Sequence, residues 1–270
     1  MEWKNIFRGL IMGASDVVPG VSGGTIAVVL GIYDRLIESI NGLFSREYKK
    51  HLGFLIPLGI GILSAIVILA KLIEWLFEYY PRPTQFAFLG LIIGVLPFLF
   101  NKSNAKQNFK LMHYLFILIG MCIVGSMVFF HTGEPEVVKT FETSTYIWLF
   151  LSGFVASAAM ILPGISGSFL LLIIGSYTTI INAINERNLF VIAVVGIGIV
   201  LGILLMSKVI HYCLEHFPII TYAFVIGMVI GSIFVIFPGF PTTMIQSIVC
   251  ILTFALGLLV AYILGRVEYK

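Results

Sequence analysis

Two short runs in this 270-residue chain carry most of its polar chemistry. Val18-Pro19-Gly20-Val21-Ser22-Gly23-Gly24-Thr25 lies near the beginning, and Leu162-Pro163-Gly164-Ile165-Ser166-Gly167-Ser168-Phe169 lies past the middle. Pro19 and Pro163 cannot continue an incoming helix, and each removes a backbone donor. Gly20, Gly23, Gly24, Gly164 and Gly167 allow backbone angles and close approaches that side chains forbid. Ser22, Thr25, Ser166 and Ser168 add hydroxyls. A helix that starts at such a turn presents free N–H groups and the positive end of its dipole. That arrangement suits a phosphate or carboxylate. A helix kink lined with small residues explains one such motif on its own. Two copies at matched positions favour an anion site made from both.

The flanking charges differ between the copies. In the repeat alignment Arg8 and Asp16 face Ser152 and Met160, and Asp34, Arg35 and Glu38 face Thr178, Thr179 and Asn182. Arg8 is a candidate phosphate ligand because guanidinium matches oxyanion geometry; its alternative role is a cytoplasmic anchor. Asp16 and Glu38 are candidate carriers of a coupling proton or sodium ion. Asp16 also reads as a helix cap or a partner of Arg8. Asp34, Arg35 and Glu38 have helical spacing and also read as ion pairs near the interface. The residues suggest no catalytic group. The five histidines form no metal pattern, none lies near either motif, and no HExxH run occurs. Neither a metal nor a cofactor is expected. The three isolated cysteines, Cys122, Cys213 and Cys250, read as small core residues without a disulfide framework.

The elements that must position these groups are apolar. Mean hydropathy is +1.07 and 59% of residues are hydrophobic, which excludes an ordinary soluble domain. Several runs reach the roughly 20 residues that cross a bilayer. The small net charge of +3, without a basic stretch interleaved with aromatics, excludes a nucleic-acid partner. No cleavable signal is expected at the N-terminus, where Arg8 and Pro19 break any apolar core. The motif match extends to Gly9 with Gly153, Gly31 with Gly175 and Tyr33 with Tyr177. With a shift in register it continues to Lys71, Glu78, Pro81, Thr84, Gly90 and Gly94, matching Lys208, Glu215, Pro218, Thr221, Gly227 and Gly231.

These matches predict an all-α polytopic membrane protein of two inverted repeats, residues 1–138 and 139–270. Each repeat is read as a re-entrant helical hairpin followed by three spans. In the first, the hairpin covers 5–44 and the spans 52–73, 84–100 and 112–131. In the second, the hairpin covers 144–184 and the spans 189–210, 219–237 and 243–265. Lys4 and Arg8 precede the first hairpin and Arg46, Lys49 and Lys50 follow it, so both flanks are read as cytoplasmic. Lys102, Lys106 and Lys110 place the next loop inside, while Glu134, Glu136 and Glu142 against Lys139 suit the outside. Both termini then face the cytoplasm. A hairpin plus three spans is an odd number of crossings, so the halves run in opposite senses, as in many secondary transporters. The alternative is that each hairpin arm spans fully, giving about ten helices. The arm before the first turn is short for that.

Arg8-Gly9, Ser15-Asp16, the run Pro19 to Thr25 and Leu30-Gly31-Ile32-Tyr33 resemble the opening signature of a bacterial membrane family. Leu162 to Ser168 resembles its second signature. The family is the polyprenyl-phosphate transporter (PopT) type, formerly a domain of unknown function, and the resemblance covers the whole chain. It implies return of undecaprenyl phosphate, the lipid carrier of cell-wall building blocks, from the outer to the inner leaflet of the bacterial cytoplasmic membrane. On this reading the lipid phosphate docks between the two turns. Membrane lipids and a coupling proton or sodium ion are its other partners. A transporter of a small soluble anion is the alternative, and a membrane lipid phosphatase is disfavoured for want of a positioned nucleophile or base.

Overall fold

A computed structural model describes residues 2–16, 22–130 and 142–268. Pro19 and Gly20 of the first motif, and Glu134, Glu136 and Lys139 of the loop between the halves, lie outside these residues, as do the side chains of Lys71 and Lys106. The described chain is helical: α1 (Asn5–Asp16), α2 (Gly23–Val29), α3 (Tyr33–Asn41), α4 (Tyr48–Tyr79), α5 (Pro81–Lys102), α6 (Ala105–Asn108), α7 (Leu111–Gly125), α8 (Thr143–Met160), α9 (Gly167–Ile174), α10 (Tyr177–Asn185), α11 (Leu189–His216), α12 (Pro218–Ile236) and α13 (Met244–Glu268). Among the described residues six helices are long and apolar enough to cross a bilayer: α5, α7 with its short continuation to Phe129, α8, α11, α12 and α13. Large apolar side chains such as Leu111, Met244 and Ile245 stand more than three-quarters exposed, as expected where lipid is the solvent. The chain is a multi-pass membrane protein.

The sequence repeat reappears as repeated geometry. Tyr80 and Phe217, each just before a proline, share φ −134° and ψ 50° at the sharp joints α4–α5 and α11–α12. After each joint a threonine hydroxyl turns back on the preceding helix. Thr84 Oγ1 donates to the Tyr80 carbonyl at 2.8 Å and Thr221 Oγ1 to that of Phe217 at 2.9 Å. Aromatic groups cluster at both joints, Trp75 with Tyr79 and Tyr80, and Tyr212 with His216 and Phe217. Gly31 and Gly175 end α2 and α9 with φ +67° and +84°, which lets the chain turn into α3 and α10. In the second half that turn bends the path by 106°.

Small residues decide which helices meet, because lipid tails leave little hydrophobic drive between apolar helices. Gly9 of α1 closes on the Leu58 carbonyl of α4, and its counterpart Gly153 of α8 closes on the Val195 carbonyl of α11. The third spans cross over. Gly120 of α7 abuts the Phe224 carbonyl of α12, and Gly257 of α13 abuts the Ala87 carbonyl of α5. Each half therefore packs its third span on the second span of the other half. Gly90 and Gly94, matched by sequence to Gly227 and Gly231, belong to this seam, Gly90 lying on the Phe254 carbonyl and Gly94 on Ala261. Gly120→Leu should lower the unfolding midpoint sharply in a detergent melt. At Gly196, where nothing lies within 4 Å of an added Cβ, Leu should leave it nearly unchanged.

The elements differ in extent from the sequence reading. α4 has 32 residues, running beyond both ends of the expected span 52–73, with Pro57 accommodated inside it. α8, read as a hairpin arm, has 18 residues and meets the length of a full crossing, whereas α1 has 12. The buried core gathers around α2, all seven of whose residues are buried. In α9 only Gly167 is buried. α2 is thus enclosed, and its counterpart α9 is more open.

Candidate functional site

The start of α2 meets the second motif turn. The Gly164 N–H donates to Thr25 Oγ1 at 2.7 Å, a buried bond between residues far apart in sequence. Around it the backbones approach closely. A Cβ on Gly24 would stand 3.0 Å from the Ile161 carbonyl oxygen and 3.1 Å from that of Met160. Gly164 takes φ +88°, and a Cβ there would stand 2.8 Å from the Met228 carbonyl oxygen of α12.

The start of α2 is capped by nearby side chains. Ser22 is the N-cap of α2 and its Oγ accepts the Thr25 N–H at 3.1 Å. Ser22 Oγ and Thr25 Oγ1 lie 2.9 Å apart, in hydrogen-bond contact. The Asp16 carboxylate accepts the Gly23 N–H at 2.6 Å. Asp16 thus plays the cap role, and its negative charge sits where a helix start favours one.

The second turn lacks this carboxylate. Met160 stands in the matching place, its Sδ 3.3 Å from a Cβ built on Gly167, as Asp16 Oδ1 stands 2.8 Å from one on Gly23. Ser166, the residue before α9, makes no side-chain cap bond, and its Oγ lies 3.0 Å from Ser168 Oγ. Ser166 is buried and Ser168 exposed, so this pair of hydroxyls reaches from the interior to an open edge. The two motifs share Pro-Gly-x-Ser-Gly and differ in electrostatics: a carboxylate caps the first helix start, and none stands at the second.

The remaining sequence-derived candidates are spread more widely. Arg8 is half-buried on α1, with Nη1 donating to Asn5 Oδ1 at 2.7 Å. Eight residues separate it from Asp16, about 12 Å along a helix. Pro163 and Gly167 are buried within the second turn. Glu38 lies on α3, apart from the turns. With Asp34 and His51 it lines two adjoining polar cavities of about 430 and 620 Å³. There Asp34 Oδ2 accepts from Lys102 Nζ at 2.8 Å and from the Tyr222 hydroxyl, while Arg35 pairs with Glu2. Asp34 and Arg35 therefore pair with other elements rather than along their own helix. The sequence reading missed His51, Lys102 and Tyr222. They lie on α4, α5 and α12, and nothing in their local spacing joins them to α3.

Comparison with known proteins follows the same line. Residues 12–250 match the family described as VCA0040-like, undecaprenyl phosphate translocase-like. A polyprenyl-phosphate transporter of Staphylococcus aureus is 43% identical over 274 residues, covering 98% of this chain and 97% of that protein. A polyprenyl-phosphate transporter of Vibrio cholerae is 37% identical over 244 residues, covering 86% of this chain and 76% of that protein. No solved structure matches the chain. With a family match across most of its length and two such relatives, the chain belongs to the undecaprenyl phosphate translocase-like family.

Proposed function

We propose that this protein carries a polyprenyl phosphate, undecaprenyl phosphate by its family, from the outer to the inner leaflet of the bacterial cytoplasmic membrane for reuse in cell-wall synthesis. It acts as a transporter and not as an enzyme. The observation that carries the reading is the Thr25–Gly164 bond, which joins the start of α2 in the first motif to the turn of the second. The phosphate docks beside that junction. Ser166, Ser168 and the N–H groups at the start of α9 are its first contacts. Thr25 and Arg8 complete the charge and hydrogen-bond balance as the site rearranges. Ser22, Gly23 and Gly24 join it when Asp16 gives up the Gly23 N–H, and Pro19, Gly20, Pro163, Gly164 and Gly167 shape the two turns. The halves, taken as inverted with both termini cytoplasmic, rock about the junction and open it to one leaflet at a time. Asp16 and Glu38 are the carboxylates that could bind a coupling proton or sodium ion.

The test is flipping of a labelled polyprenyl phosphate by purified protein in liposomes. Wild type should flip it. Arg8→Ala and Ser166→Ala should each slow flipping at least about tenfold, the worth of one hydrogen bond to a charged group, while inserting and eluting normally. Unchanged rates would remove those residues from the site. The polar cavities around Asp34 and His51 favour a second reading, a small soluble anion entering from water. In that case the same vesicles take up a carboxylate or oxyanion and do not flip the lipid.

A further inference from the structure

We propose that the cavity between α7, α11 and α12 holds the first isoprene units of the polyprenyl chain, and that the Tyr33 hydroxyl donates to an oxygen of the attached head group. The proposal rests on the substrate reading above and adds a seat for its lipid part.

The cavity measures about 340 Å³, at the lower end of the roughly 300–1,000 Å³ of small-molecule sites. Its walls are almost wholly apolar. α12 forms the floor, Phe116 of α7 stands on one side, and Val209 and Cys213 of α11 stand on the other. Val209 is 49% exposed, so the mouth opens toward the bilayer, where a lipid tail enters without crossing water. Leu162, the residue before Pro163 and Gly164, is part of its lining. The cavity thus joins the lipid phase to the second motif.

Two hydroxyl-bearing residues line it. That of Thr221 is satisfied, donating to backbone carbonyls of its own joint. That of Tyr33 is not. Tyr33 is 4% exposed, and its hydroxyl is buried with no hydrogen-bond partner. Leaving a buried hydroxyl unpaired is costly, and such groups call for a partner that is bound in function. An apolar cavity with one unsatisfied donor on a residue of its wall selects an amphiphile that has a hydrocarbon body and one acceptor end. A soluble oxyanion has no use for the walls, and a plain hydrocarbon has none for the hydroxyl. A prenyl chain ending in a phosphate ester uses both. The counterpart Tyr177 of the second half is only half-buried, so the sealed hydroxyl belongs to this side of the repeat.

The test uses the full chain in liposomes and a polyprenyl phosphate bearing a photoreactive group on its first isoprene unit. Adducts should concentrate on α11 and α12 around Val209 and Cys213. Excess unlabelled polyprenyl phosphate should suppress them, and phosphatidylglycerol or inorganic phosphate should not. Adducts spread evenly over lipid-facing α4 and α13, or suppressed equally by phosphatidylglycerol, would overturn the proposal. In the flipping assay Val209→Trp, which fills the mouth, and Tyr33→Phe should each slow transport about tenfold, Tyr33→Phe chiefly by raising the lipid concentration needed. If wild type flips the lipid and both variants match it, the cavity is not the seat and the substrate reading stands. If wild type neither flips nor cross-links polyprenyl phosphate, the substrate reading itself fails. Should Val209→Trp not fold, the adduct map and Tyr33→Phe decide.

Discussion

Gly164→Ala should destabilise the protein by about 2–5 kcal/mol. Two costs add. A non-glycine residue at φ +88° is strained by roughly 1–2 kcal/mol, and a Cβ 2.8 Å from the Met228 carbonyl oxygen forces overpacking worth about 1–3 kcal/mol. Gly239 separates the two. It has φ +80° but nothing within 4 Å of an added Cβ, so Gly239→Ala carries the strain alone. Melts of the purified proteins should rank wild type, Gly239→Ala and Gly164→Ala in falling order. Equal midpoints for the two variants would show that α12 yields at Met228 and that the junction is softer than its geometry implies. Because Gly164 also donates to Thr25, any Gly164→Ala protein that survives should flip lipid poorly even below its melting temperature.

Asp16 should divide structure from coupling. Asp16→Asn keeps a carbonyl oxygen that can accept the Gly23 N–H, so the cap of α2 persists and the melting midpoint should stay near wild type. The variant loses the negative charge. If that charge takes up the driving ion, lipid flipping under an imposed proton or sodium gradient should fall to the rate seen with no gradient. Asp16→Ala removes the acceptor as well and should cost about 0.5–2 kcal/mol of stability. Flipping by Asp16→Asn that still responds in full to both gradients would leave Asp16 as a cap and move the search for a coupling group to Glu38 and its cavity.

The parts of this site that the sequence made legible are those marked by punctuation. Proline and glycine interrupt the apolar runs at the turns and at the joints before Pro81 and Pro218, and each interruption has a counterpart at a matched position. The helices between them were legible as apolar length. Their ends were less so: α4 continues past 52–73 because the charged residues Lys49, Lys50 and Glu78 are as compatible with helix as with loop. The pairing of the third spans was hidden for another reason. Gly120 and Gly257 occupy matched places, yet both lie in spans apolar on every side, where no stripe indicates which neighbour a face will meet. The two roles open to Asp16, cap or ion carrier, use the same carboxylate, and only its 2.6 Å contact with Gly23 shows the first. Tyr33 stood in the alignment as a repeat marker, since a hydroxyl deprived of its partner leaves no trace in residue order.

The crossing of α7 onto α12 and of α13 onto α5 bears on how such a chain comes to be made. During synthesis α5 enters the bilayer long before α13 exists, and α7 must wait until α8 to α11 have been made. Helices can wait in this way because their backbone bonds are internal. The first half therefore inserts without being able to finish, and its last contacts close only when the ribosome has delivered nearly the whole chain. Each half thus supplies, inside one polypeptide, the neighbour that the other half's third span lacks, and neither half expressed alone offers that span the surface it packs on here.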